Sequence, residues 1–141
     1  MTEAATITVG SSDVPSILGL SPWTAPAETW ARLVGIVPRY SIGDSPATRR
    51  GRIIESALLD EWARLREPSL FERGPAITEA PVVVDGWRAA RHDALAVLSD
   101  ERVVVEAKTT RGWDAWGHDG TDQVPVYYAA QVAWQMSVLG V

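Results

Sequence analysis

A glutamate and a lysine two positions apart, Glu106 and Lys108, close the most β-prone run of the chain, Arg102-Val103-Val104-Val105-Glu106-Ala107-Lys108. Asp93 stands thirteen positions before Glu106. Side chains of a strand alternate between faces, so Glu106 and Lys108 point the same way as Val104, while Val103, Val105 and Ala107 pack on the other side. A carboxylate and an ammonium on one face, joined by a second carboxylate from the end of the preceding strand, can hold a divalent cation and position a water beside it. That set of groups suits the cutting of phosphodiesters. The plain alternative is a same-face ion pair on an exposed strand, which adds only 0 to ~1 kcal/mol and leaves Asp93 unexplained.

Positioning these groups requires a β-rich middle. Ala80 to Val84, Trp87 to Arg91, Ala94 to Leu98 and the Val103 strand read as an antiparallel meander, with turn signals at Asp85-Gly86 and Ser99-Asp100-Glu101. Asp93 falls where the second and third strands join, and the hairpin through Ser99 returns it to the Glu106 end of the neighbouring strand. Upstream, Thr48 to about Arg66 reads as a helix with Ile54, Leu58, Trp62 and Leu65 at helical spacing and Glu61, Arg64 and Arg66 toward water. Glu55 precedes Leu58, Leu59 and Trp62 by three, four and seven residues, so it borders the apolar stripe. A carboxylate there needs a pair or a metal; a cap, a salt bridge or exposure at the stripe edge is the structural alternative. Arg49, Arg50 and Arg52 just before it suit either DNA backbone binding or a solvated helix end.

Near the start, Val9 to Gly19 reads as a tight turn and a short helix, with Ser12 or Asp13 as N-cap and Gly19 closing it. Helix amides there could receive a phosphate, or Ser12 only caps. Pro26 to Leu33 reads as a second helix, followed by Gly35. Thr109 to Asp122, with Trp113 and Trp116, reads as a mobile loop of the length that often carries function. The segment from Val124-Pro125 to Leu139 reads as a helix apolar nearly all round, which implies burial, with Gln131 and Gln135 one turn apart on one face. Buried glutamines need partners, so Gln131 either hydrogen-bonds a metal ligand or phosphate, or bonds the backbone.

The 141 residues fit one domain, and hydrophobic residues at 46% and charged residues at 22% are ordinary for a soluble protein. No apolar run approaches the ~20 residues that span a bilayer, and the start lacks a secretory pattern, so the expectation is a cytoplasmic protein without membrane contact. Cysteine is absent, which excludes disulfides, thiolate nucleophiles and zinc-thiolate sites; a metal must use carboxylate oxygens or the two histidines, His92 and His118. The net charge of -5 argues against a protein that coats nucleic acid, but carboxylates at a metal site contribute to that count.

In this order the blocks resemble the YqaJ-like viral recombinase family, related to phage lambda exonuclease and part of the PD-(D/E)XK, or restriction-endonuclease-like, nuclease superfamily. The matching residues are Gly10-Ser11-Ser12-Asp13 with Ile17 to Pro22, Gly51 to Glu55, Asp93, Glu106 to Thr110, and Val124 to Val132 with Gln135-Met136. The resemblance implies an α/β (α+β) fold, a mixed central sheet flanked by helices, carried by a single domain over 1–141. It implies magnesium or manganese held by Asp93, Glu106 and the carbonyl of Ala107, with Glu55 binding or steering through water. Lys108 would orient and help deprotonate the attacking water, Gln131 would support the site, and Ser12 would contact the DNA phosphate, while Arg50 and Arg52 of the basic cluster are the further candidate DNA contacts. It further implies 5′ to 3′ digestion from double-stranded DNA ends in recombination, a single-strand annealing partner and ring-shaped trimers. A nuclease-fold domain that binds DNA without turnover is the competing reading. The chain departs from the family pattern in lacking an arginine just upstream of Ser12, in placing Ala94 where a glycine is usual, and in stopping at Val141, which implies a truncated or minimal version.

Overall fold

The computed structural model describes residues 7–38, 46–75, 79–110, 112 and 115–141. Trp113 of the anticipated loop lies outside the described residues. Among the described residues four helices, α1 (Val14–Ile17), α2 (Pro26–Leu33), α3 (Pro46–Arg66) and α4 (Val126–Leu139), accompany five strands, β1 (Leu70–Arg73), β2 (Val82–Val84), β3 (Arg88–Ala90), β4 (Ala94–Leu98) and β5 (Glu101–Val105).

The strands divide into an antiparallel sheet in the order β1-β4-β5 and an antiparallel pair, β2-β3. This corrects the four-strand meander: β4 takes Leu70–Arg73 as its second neighbour, pairing Arg73 with Ala94 and Leu70 with Val97. It also leaves the mixed sheet without parallel strands among the described residues, apart from one isolated parallel bridge between Val9 and Arg88. The β4-β5 turn is Ser99-Asp100, both with positive φ (48° and 67°), the backbone of a two-residue type I′ connection.

Leu59, Ala94, Ala96 and Val105 form the buried cluster, with Trp62, Phe71, Val103 and Ala107 packed against it. The anticipated side of the β5 run is therefore the core side. The helix stripe is rotated from the expected one. Gly51, Glu55, Leu59, Trp62 and Ala63 face inward, while Ile54, Leu58 and Leu65 are exposed. The stripe failed because α3 carries large aliphatics on several sides, and the small residues of β4 admit only the Leu59 side. Helix α3 ends where Glu67 adopts a left-handed φ of 45° just before Pro68.

Helix α4 packs against β2, β3, β5 and α1. It is only half-covered: Gln135 and Val138 are buried, whereas Val126 and Met136 are exposed, so its all-round apolar character does not translate into full burial. Trp134 Nε1 donates to Ala89 O at 2.9 Å, tying the helix to β3. Val9 lies beside β3, its amide donating to Trp87 O at 2.7 Å and its carbonyl accepting from Ala89 N at 2.9 Å. This contact brings the turn Gly10 to Asp13 alongside the sheet. No helix among the described residues is long and apolar enough to cross a membrane.

Candidate active site

The register of β4 and β5 pairs Ala94 with Val105, so Asp93 and Glu106 lie one residue beyond the last paired rung. Asp93 Oδ2 there accepts the amide of Ala107 at 2.7 Å. Regular strand structure stops at Val105, one residue short of the glutamate, yet alternation persists: Ala107 packs on the core and Glu106 turns to the other side. A second backbone bond fixes the aspartate, Gly74 N to Asp93 O at 2.8 Å, and comes from the end of β1. Gly74 is required at that spot, because a Cβ there would stand 1.8 Å from His92 O.

Glu106 is held from three directions. Lys108 Nζ pairs with Oε1, Gln131 Nε2 donates to Oε1 at 2.7 Å, and Gln135 Nε2 donates to Oε2 at 3.0 Å. The Glu106 side chain is only 7% exposed. The two glutamines lie on one face of α4, as the sequence implied, and Gln131 supports the glutamate. Gln135 was not singled out as a site residue; its spacing from Gln131 was the available signal. It is completely buried and also donates to Arg91 O at 2.7 Å. Lys108 Nζ stands 5.4 Å from the centre of the Tyr128 ring, a cation–π contact at the helix start.

Asp93 and Glu55 titrate as crowded, partly dry groups. Asp93 is pushed up to about 6, by burial first and then by the charge of Glu106, against the stabilising Ala107 amide. Glu55 is also raised, by burial and then by Glu106. Burial lowers His92.

Two clefts meet at Asp93. One, of about 430 Å3, brings Asp93 together with Glu106, Gln131, Ser12 and Arg32. The other, of about 410 Å3, brings Asp93 together with Glu55, Arg52 and Arg73. Glu55 approaches from the α3 side, the side of Leu59, and Glu106 from the α4 side, so the aspartate is their common wall. Among the described residues no three or more histidine, aspartate or glutamate side chains form a ready-made metal cluster. Of the three anticipated acids, Asp93 shares one cleft with Glu106 and the other with Glu55, and the charges of both raise it. Ser12 is exposed in the first cleft, and Asp13, not Ser12, occupies the N-cap position of α1, its carboxylate accepting from Gly10 N at 3.0 Å. Arg50 is exposed and lines neither cleft.

Hard oxygen donors suited to magnesium remain available in this arrangement. Asp93 Oδ1 has no protein partner among the described residues, and the carboxylate of Glu106 uses three of its roughly four acceptor positions. Two carboxylates with waters are a usual magnesium complement. Burial, and after it the charge of Glu106, raises Asp93, and a cation at the pair would offset both.

A small α+β domain with an Asp, Glu and Lys constellation at the open end of a hairpin, braced by glutamines from a helix, is thus defined. The YqaJ-like viral recombinase domain model matches residues 3–141, and the chain belongs to that family. It is 30% identical over 132 residues to the uncharacterized protein YqaJ of Bacillus subtilis (strain 168). That match covers 94% of this chain and 39% of the relative, so the chain spans about two fifths of the relative's length. No solved structure matches the chain.

Proposed function

We propose that this domain is a metal-dependent deoxyribonuclease that hydrolyses DNA phosphodiester bonds, a phage-type 5′ to 3′ exonuclease acting in recombination on a restriction-endonuclease-like core. The observation that carries the reading is the Asp93, Glu106 and Lys108 assembly: two acids fixed by backbone and amide bonds, and an ammonium on the same glutamate. Membership of the viral recombinase family supports it.

Asp93 and Glu106 would hold the cation, magnesium or manganese, which supplies a water of lowered pKa and counters charge gathering on the phosphorus. Lys108 presents its ammonium at the cation-binding edge, where it orients a water or a phosphate oxygen by hydrogen bonding. Gln131 and Gln135 keep Glu106 from turning away, and Gly74 and the Ala107 amide do the same for Asp93. Preorganisation of this kind avoids reorientation at the moment of reaction.

The test is a metal-titrated digestion of linear duplexes labelled at either 5′ end, beside a closed circle and a single strand. Degradation of linear duplex but not of the circle is the expected result; nicking of the circle indicates endonuclease action. Lys108→Ala is expected to lower cleavage by about 100-fold or more while DNA binding in calcium persists. Absence of cleavage by the wild type in either metal overturns the proposal and leaves a binding domain.

A further inference from the structure

The first cleft, which the two acids line, also holds a cation with no paired carboxylate among the described residues. Arg32, on α2, lines the cleft together with Ser12, Asp93, Glu106 and Gln131. Its Nη2 donates to Thr29 Oγ1 at 3.0 Å, and its Nε is buried without a hydrogen-bond partner. Among the described residues no carboxylate pairs with it.

The orientation of this guanidinium is dictated by a buried chain of hydroxyls. Arginine can only donate, so Thr29 Oγ1 must pass its own proton on, and it does so to Ser16 Oγ at 2.6 Å. Ser16 Oγ in turn donates toward Thr24 O and Ala25 O, each at 3.1 Å. Thr29 is completely buried and Ser16 nearly so, which locks α2 to α1 and fixes the donors of Arg32 relative to the cleft. Asp13, another carboxylate of the cleft lining, accepts instead from Gly10 N. Arg32 is partly buried, and its Nε–H, buried without an acceptor, carries a cost that an anion reaching it would recover. Arginine's fork matches phosphate oxygens, and Arg32 borders the same cleft as Asp93 and Glu106.

We propose that Arg32 is a phosphate-binding residue of the substrate cleft, gripping the DNA strand whose phosphodiester is presented to Asp93 and Glu106. This rests on the nuclease reading for its substrate, and the two can fail separately. A phosphate at the strand end and one within the strand share this chemistry.

The experiment measures affinity, in calcium, for linear duplexes with 5′-phosphate or 5′-hydroxyl ends and for a closed circle, using wild type, Arg32→Gln and Arg32→Lys. Arg32→Gln is expected to weaken binding about 10- to 100-fold, as for loss of a charge-assisted contact. The slope of log affinity against log salt should shrink by about 0.9, one phosphate's worth. Arg32→Lys should restore the slope and part of the affinity. A loss confined to the 5′-phosphorylated duplex assigns the terminal phosphate; an equal loss on all three assigns an internal one. Without DNA, Arg32→Gln should melt no lower than wild type, because the bare guanidinium does not support the fold. As a measurement independent of any variant, the Arg32 Nε–H resonance of the wild type should move on titration with inorganic phosphate. Unchanged affinity and salt slope in Arg32→Gln, or a static Nε–H resonance, overturns the inference even where magnesium-dependent cleavage stands. Binding through Arg32 without cleavage overturns only the nuclease reading.

Discussion

Replacing Gln135 with methionine tests the brace on Glu106 with little change of volume. Two hydrogen bonds disappear, one to the Glu106 carboxylate at 3.0 Å and one to Arg91 O at 2.7 Å, at a position with no solvent exposure. A bond to a charged group contributes about 1.5–3 kcal/mol and a neutral one about 1 kcal/mol. Against this, Gln135 Oε1 is itself buried without a partner, and its removal returns about 1 kcal/mol. The net expectation is a loss of about 2 kcal/mol. Urea unfolding in EDTA reads this as a fall in midpoint of roughly 1 M, taking a slope of about 2 kcal/mol per molar. Because the larger contribution runs through Glu106, the Gln135→Met and Glu106→Gln effects should be non-additive by about 1 kcal/mol or more. A Gln135→Met protein as stable as wild type, or strict additivity with Glu106→Gln, would refute the reasoning.

Other outcomes follow from the same geometry. Asp93 rises from 3.8 to about 6 on folding, so the folded state retains a proton that the unfolded chain releases; its contribution is fully present below about pH 4 and is lost as pH rises through 6. A gap of about 2 units is at most about 3 kcal/mol, reduced by solvent screening of this partly exposed group to about 1–2 kcal/mol. Metal-free melting temperature should fall across that window, and Asp93→Asn or millimolar magnesium should flatten the fall. A steep fall that survives Asp93→Asn contradicts the assignment. Gly74→Ala forces the His92–Asp93 backbone to move, since its Cβ would lie 1.8 Å from His92 O. It should cost about 3 kcal/mol and, by shifting Asp93, about 100-fold in cleavage by the folded fraction; thermal melts and rates per folded molecule check both. Glu67→Gly removes a left-handed glutamate at φ 45° and should stabilise by about 0.5–1 kcal/mol, or about 3 °C in the melting midpoint.

The site was legible where chemistry and alternation coincide. Glu106 and Lys108 share a face because a two-residue repeat requires it, and Asp93 returns to them because the Ser99-Asp100 turn sets the register. Helix α2 was legible over Pro26–Leu33 because a proline opens it and Gly35 follows its end. Strand β1 was missed: Leu70-Phe71-Glu72-Arg73 has no period beyond four residues and exists only through its pairing with β4. The inward side of α3 was misjudged because Ile54, Leu58 and Leu65 compete with Leu59, and only the shape of β4 decides between them. Gln135 was legible only as a buried amide one turn from Gln131, and Arg32 not at all, since the partners of Gln135 and the Ser16 hydroxyl behind the Arg32–Thr29 bond stand on other elements.

The bond from Ala107 N to Asp93 Oδ2 joins positions only fourteen apart along the chain. Loop closures of this length take well under a microsecond and hairpins a few microseconds, so one local event delivers both acids of the proposed centre, ahead of the docking of distant α3 and α4. The expected order is therefore that the two acids meet early and are covered later. Pulse-labelled exchange of the Ala107 amide during refolding reads that order.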